Sequence, residues 1–98
     1  MDIIFGYEKT DKEFQTLINN EFVNAEEIES YGFSGMDDMI IIIVPIVALS
    51  VQLIDFIMTH ITREKHKGKG RVVIVKGKKY TFDGYTKDEI IDILKELD

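Results

Sequence analysis

The chain has 98 residues, a formal net charge of −6 and no cysteine. This length suits one domain, so we expect residues 1–98 to fold as a single unit. The lack of cysteine excludes disulfide bonds and thiolate zinc sites. The N-terminus does not show the basic and then apolar pattern of a secretory signal, and we therefore expect a cytoplasmic protein.

The charges are segregated along the chain. Residues 1–62 carry eleven acidic and two basic side chains, residues 63–80 carry eight basic and one acidic, and residues 81–98 carry six acidic and two basic. An acidic chain repels phosphate over most of its surface, which argues against nucleic acid as a partner. The favoured interpretation of the basic block is a solvated hairpin whose lysines discourage edge-to-edge strand pairing. The alternative is a patch that binds an acidic protein or, less favoured, nucleic acid or anionic lipid. Its residues are Arg63, Lys65, Lys67, Lys69, Arg71, Lys76, Lys78 and Lys79.

The N-terminal third predicts a strand, a helix and a second short strand. Apolar side chains alternate over residues 2–8, as in a half-buried strand. Thr10 and Glu13 have the spacing of a capping box, so a helix follows. A short strand is expected over residues 28–33, with a short helix as the alternative. The apolar face of the first helix consists of Phe14, Leu17, Ile18 and Phe22.

The central segment, residues 39–51, has a single polar side chain, Ser50. We favour one long helix over about residues 36–65, kinked at Pro45, because proline disturbs the preceding turn. The alternative is a buried strand over residues 39–44, which four consecutive isoleucines favour. The apolar run is shorter than the ~20 residues that a spanning helix needs, so membrane insertion is disfavoured.

The same segment supplies the candidate interaction surface. A helix over residues 36–65 would be about 45 Å long at ~1.5 Å per residue. That is long for such a small domain, so we expect part of it to pack on a partner protein or on a second copy. Gln52, Asp55 and Thr59 form a polar stripe that either faces solvent or gives specificity within a helix–helix interface. The predicted apolar interface consists of Ile42, Ile46, Leu49, Leu53, Ile57 and Ile61.

The C-terminal third predicts a β-hairpin and a helix. Strands over residues 71–75 and 79–83 are joined by a short turn that contains glycine. A helix over residues 87–97 begins at a capping box headed by Thr86. We therefore predict an α+β fold, in which the N-terminal strand and the hairpin form a small sheet packed on the long central helix and the C-terminal helix.

The order of these segments resembles a known family. Gly35-Met36 leads into a long apolar segment that ends in basic residues, a basic hairpin RVVIVKGKKYTF follows, and the chain closes with the helix tail IIDILKEL. This layout is similar to the effector-associated constant component family of bacterial conflict systems. The resemblance implies a small non-enzymatic domain that links an effector to its partners. The chain departs from the family pattern in its isoleucine-rich first half of the long segment and in having no tryptophan.

No catalytic motif is present. His60 and His66 are six residues apart, so they do not share a helix face as a metal-binding pair would. We expect no enzymatic activity, no metal and no cofactor. The preferred function is a protein-interaction module, and the alternatives are an acidic immunity protein for a secreted toxin and a membrane-associated accessory component. The acidic face of an immunity protein would consist of Glu26, Glu27, Glu29, Asp37 and Asp38.

Overall fold

The computed structural model describes residues 2–28, 39–46, 49–63 and 70–97. Within them the fold is α+β, as predicted, with an antiparallel five-stranded sheet in the order β2-β3-β1-β4-β5. The strands are β1 Asp2–Glu8, β2 Glu26–Ile28, β3 Met39–Pro45, β4 Val72–Val75 and β5 Lys78–Tyr80. The helices are α1 Lys12–Glu21, α2 Val51–Ile57 and α3 Lys87–Leu94.

The first strand lies at the centre of the sheet. β1 pairs with β3 along its whole length and with β4 through three residues. The predicted alternation is confirmed, since Ile3, Phe5 and Tyr7 are buried against the helices. The other face of β1 is also covered, because the strand is central. Its side chains on that face pack near Ile41 and Ile74, in a smaller apolar cluster on the opposite side of the sheet.

The predicted long central helix is wrong over its described first half. Residues Met39–Pro45 form strand β3, and α2 begins only at Val51. The isoleucines prefer the pleated surface of a sheet, where β-branched side chains pack on both faces. Pro45 is the last residue of the strand, a position at which a missing N–H is tolerated. The alternative strand is therefore confirmed, while the proposed cap at residues 34–37 lies outside the described residues.

Helix α2 is short and changes its winding. The hydroxyl of Ser50 accepts a hydrogen bond from the Leu53 N–H at 3.1 Å and caps the first turn. After Ile57 the chain continues as a π-helical turn over Met58–Thr62. Such wider turns are rare and are found disproportionately at functional sites.

The C-terminal hairpin is shorter than predicted. β4 is Val72–Val75 and β5 is Lys78–Tyr80, so residues 81–83 leave the ladder. The two-residue turn has positive φ at Lys76 (50°) and Gly77 (81°), as in the type I′ hairpin. This turn matches the right-handed twist of the two strands, whereas a three-residue link would shift their register by one residue.

Helix capping is confirmed at α3 and corrected at α1. Thr86 and Glu89 form the predicted capping box, with bonds of 3.2 and 2.9 Å. At α1 the cap is Asp11 rather than Thr10, and its carboxylate accepts the Phe14 N–H at 3.2 Å. The same carboxylate has a second partner inside the fold, described below.

The main core lies between the sheet and the three helices. Phe14 and Ile18 of α1, Leu53 of α2, and Ile90 and Leu94 of α3 are all buried there. Across the described part of the chain, no helix combines the length and the hydropathy that crossing a bilayer requires.

Candidate functional site

Most of the predicted apolar interface belongs to the chain's own core. Ile42, Leu53, Ile57 and Ile61 are between 0% and 4% exposed. They cannot face a partner in this fold, because they fill the space between the sheet and the helices. This part of the prediction is therefore wrong, while Ile46 and Leu49 are half-buried at the edge of the core.

The most exposed apolar side chains point to a different surface. Val23 is 84% exposed and Val51 is 68% exposed. Val23 follows the end of α1, and Val51 is the first residue of α2. A large apolar side chain this exposed is a feature of an interaction site when it borders a depression.

Such a depression lies between the end of α1, the end of β3 and the start of α2. It is an open cavity of about 440 Å³. Its floor is apolar and includes side chains that are partly or fully buried in the core. The lining residues include Phe22, Val23, Pro45, Ile46, Gln52 and Leu53.

A second open cavity of about 260 Å³ continues the first along α2 into the π-helical turn. Gln52 lines both cavities, as does Glu21, so the two adjoin. We call the combined depression the α1–α2 groove. Its second half contains the whole polar stripe predicted from the sequence, and its lining consists of Glu21, Gln52, Asp55, Phe56, Thr59 and His60.

A hydrogen bond fixes the middle of the α1–α2 groove. The side-chain amide of Gln52 donates to a carboxylate oxygen of Glu21 at 2.9 Å, which ties α1 to α2. Asp55 lies one turn further along α2 and is exposed. Among the described lining residues there is no lysine or arginine, so the groove has an apolar floor and an acidic wall. This combination suits a partner segment with apolar and cationic side chains.

His60 closes the far end of the groove. Its ring lies 4.8 Å from the ring of Phe56, and the residue is half-buried. Burial is the main cause that lowers the pKa of His60 below 6.5, and the nearby charge of Arg71 lowers it further. The π-helical turn that carries His60 is held by the Arg71 guanidinium, which donates to the His60 carbonyl at 2.8 Å.

Arg71 is not part of a basic surface patch, contrary to the prediction. It is 2% exposed, and its guanidinium binds both carboxylate oxygens of Asp11 and lies 4.7 Å from the centre of the Phe14 ring. A cation can be buried when a carboxylate neutralises it and a carbonyl takes a further N–H. Sequence charge counting missed this role because it treats every cation as a surface group.

The remaining basic residues divide between two places. Lys76, Lys78 and Lys79 are exposed on the β4–β5 hairpin, and Arg63 is exposed after the π-helical turn. β5 is an edge strand of the sheet, so these lysines lie at an edge, and their role in discouraging strand pairing stays a prediction. Lys65, Lys67 and Lys69 lie outside the described residues.

The hairpin also carries aromatic surface. The Lys78 ammonium lies 5.1 Å from the centre of the Tyr80 ring, and Tyr80 stacks on Phe82 at 5.2 Å. Tyr85 is 38% exposed and packs edge-on against both rings. We call the surface formed by Lys76, Lys78, Tyr80 and Tyr85 the hairpin knob.

The predicted acidic face is described only in part. Glu26 and Glu27 are exposed on β2, which is the other edge strand of the sheet. Glu29, Asp37 and Asp38 lie outside the described residues. In the described ranges no three histidine, aspartate or glutamate side chains are grouped so that they could hold a metal ion.

Comparison of the chain with protein-family models, curated proteins and solved structures finds no significant match. The resemblance to the effector-associated constant component family therefore stays a prediction from the order of sequence segments.

Proposed function

We propose that the chain is a non-enzymatic protein-interaction module whose docking site is the α1–α2 groove. The observation that supports this most is the pairing of an apolar floor, which includes the strongly exposed Val23, with an acidic wall. Following the sequence resemblance, we propose that it acts as an accessory component of a bacterial conflict system and binds an effector protein. The partner segment carries apolar side chains for the floor and a lysine or arginine for Glu21 and Asp55.

The test compares partner capture by the native chain and by a groove variant. A double variant of Val23→Asp and Leu49→Asp would also disturb the fold, because Leu49 packs on the core. Val23→Asp with Asp55→Lys changes only exposed side chains and alters both the apolarity and the charge of the site. The matched control is Asp92→Lys, which reverses an exposed carboxylate on α3.

A captured protein is purified and its affinity is measured by calorimetry. We expect the groove variant to bind it roughly tenfold or more weakly. The control is expected to bind it like the native chain, since a substitution outside an interface has little effect on affinity. Equal affinity of all three chains would show that the groove is not the docking site.

A second candidate is the immunity protein, which the exposed Glu26 and Glu27 on the acidic edge of the sheet favour. Acidic surface speeds association with a basic toxin. Binding to such a toxin is then expected to weaken steeply with salt and on Glu26→Lys with Glu27→Lys. A lack of binding, measured at low salt, to a toxin encoded beside this chain rules this candidate out.

A further inference from the structure

We infer that the chain self-associates head to tail, with the hairpin knob of one copy seated in the α1–α2 groove of the next. The inference rests on the proposed function, because it uses the same groove and names a second copy as an occupant. It keeps the predicted homo-oligomer but moves the contact from the core residues of the central segment to a surface that is accessible.

The two surfaces complement each other in charge. The groove carries the carboxylates of Glu21 and Asp55, whereas the knob carries the ammonium groups of Lys76 and Lys78. Opposite charges across an interface steer association, and like charges oppose it. A symmetric contact of groove with groove would bring carboxylates together, and a contact of knob with knob would bring lysines together. The charges therefore favour the unlike pairing.

The surfaces also complement each other in apolar content. The three most exposed large hydrophobic side chains of the described residues are Val23, Val51 and Tyr85. Val23 lines the groove, Val51 lies between the lining residues Ser50 and Gln52 in the sequence, and Tyr85 stands on the knob. Aromatic side chains beside a cation are favoured at interface centres, because the ring fills apolar space while the charge stays at the rim.

The two surfaces are formed by different parts of the fold. The first half of the groove lies at the ends of α1 and β3, whereas the hairpin forms the β4–β5 edge of the sheet. A contact between unlike surfaces of two copies is heterologous, and repeated use of it builds a ring or an open chain of copies.

Two charge-reversed variants test the inference on the full chain. The groove variant is Glu21→Lys with Asp55→Lys, and the knob variant is Lys76→Asp with Lys78→Glu. All four side chains are exposed, and aspartate tolerates the positive φ at position 76. Circular dichroism confirms that each variant is folded. The control, Asp92→Lys with Glu96→Lys, gives the same net charge as the groove variant through exposed carboxylates near the C-terminus.

Sedimentation velocity is measured over a range of concentrations in about 0.01 M and about 1 M salt, where the Debye length is about 30 Å and about 3 Å. We expect the native chain and the control to grow in mass with concentration at low salt and to dissociate at high salt. Each variant alone is expected to associate roughly tenfold or more weakly. An equimolar mixture of the two variants is expected to associate like the native chain. The reversed groove then meets the reversed knob, and the unchanged knob of the groove variant meets the unchanged groove of the knob variant, so every contact between the two variants pairs opposite charges.

A native chain that sediments as a monomer at low salt overturns the self-association but leaves the groove open to the partner test above. Association that both variants retain also overturns it, because the contact then lies elsewhere. Weakened association of the groove variant with unchanged association of the knob variant shows that another surface occupies the groove, and it overturns the head-to-tail contact alone.

Discussion

Asp11 and Arg71 are joined by two hydrogen bonds, of 2.7 Å to Nε and 3.0 Å to Nη2, although sixty residues separate them in the sequence. The same carboxylate caps α1, and the same guanidinium holds the carbonyl of His60 at the end of the groove. This one ion pair therefore fixes the start of α1, the approach to β4 and the π-helical turn relative to one another.

Removal of the Asp11 carboxylate is expected to destabilise the fold strongly. Asp11→Ala leaves a buried guanidinium without its counter-charge and removes the helix cap, and we expect the free energy of unfolding to fall by about 3–5 kcal/mol. Asp11→Asn keeps an oxygen for the cap and is expected to cost less. Urea denaturation measures both changes. Thr10→Ala is the control, since Thr10 is exposed and does not cap the helix, and its effect is expected within about 0.5 kcal/mol. A large loss at Thr10 would contradict the assignment of the cap.

Tyr7 carries a buried hydroxyl that has no hydrogen-bond partner among the described residues. Burial raises the pKa of Tyr7 from its ordinary value of 10.0 to about 12, and the charges of Glu27 and Asp11 act in the same direction. The unfolded chain therefore loses this proton at lower pH than the folded chain does. Stability from this group is complete below pH 10.0 and is lost as the pH rises toward about 12.

The variant Tyr7→Phe tests that account. It keeps the ring that packs against Phe14 at 5.4 Å and removes only the hydroxyl. At neutral pH we expect a change within about 1 kcal/mol or a gain, because an unsatisfied buried hydroxyl is removed. Above pH 10.0 the variant is expected to lose less stability than the native chain. Parallel loss in both chains would mean that Tyr7 does not titrate as described.

The hairpin turn is expected to gain stability from a residue better suited to positive φ. Lys76 has a φ of 50°, which a lysine seldom adopts. Lys76→Asn is expected to stabilise the fold by about 0.5–1 kcal/mol, since asparagine before glycine is the preferred type I′ pair. Thermal denaturation measures the shift.

Gly77 provides the opposite case in the same turn. Its φ is 81°, and a Cβ there would meet nothing within 4 Å. The cost of Gly77→Ala is therefore conformational alone, and we expect about 1 kcal/mol. A stabilising Gly77→Ala would contradict the turn type.

His60 makes the fold sensitive to mild acid. Burial and the charges of Arg71 and Arg63 lower the pKa of His60, although Glu21 and Glu13 oppose the shift. The unfolded chain binds a proton near pH 6.5 and the folded chain only at lower pH, so stability falls as the pH drops through this range. His60→Gln lacks this titration and is expected to show a shallower loss between pH about 7.5 and about 5.5. Denaturation curves at several pH values compare the two chains, and identical slopes would exclude a role for His60.

Short-range sequence patterns predicted the elements whose formation depends on neighbouring residues. The alternation in β1 and the capping box of Thr86 and Glu89 each depend on residues within a few positions of one another. The isoleucine run of Met39–Pro45 was ambiguous, because a continuous apolar segment is compatible with a buried strand and with a buried helix. Pairing with β1 over seven residues stabilises this segment as strand β3.

The candidate site could be predicted only in part. The polar stripe of Gln52 and Asp55 was visible as a helical spacing, but its partner Glu21 lies thirty-one residues away. The groove is formed by ends of α1, β3 and α2 that sequence proximity does not connect. Arg71 was assigned to the surface for the same reason, because its carboxylate partner is remote in the chain.

The central place of β1 in the sheet has a consequence for synthesis of the chain. β1 precedes both of its pairing partners in the chain, so during synthesis it lacks a neighbour on either edge until Met39–Pro45 and then Val72–Val75 have been made. Pairing over such long separations is slow, and unpaired apolar strands are prone to aggregate. β1 is therefore expected to be prone to aggregation during synthesis until Val75 has been translated.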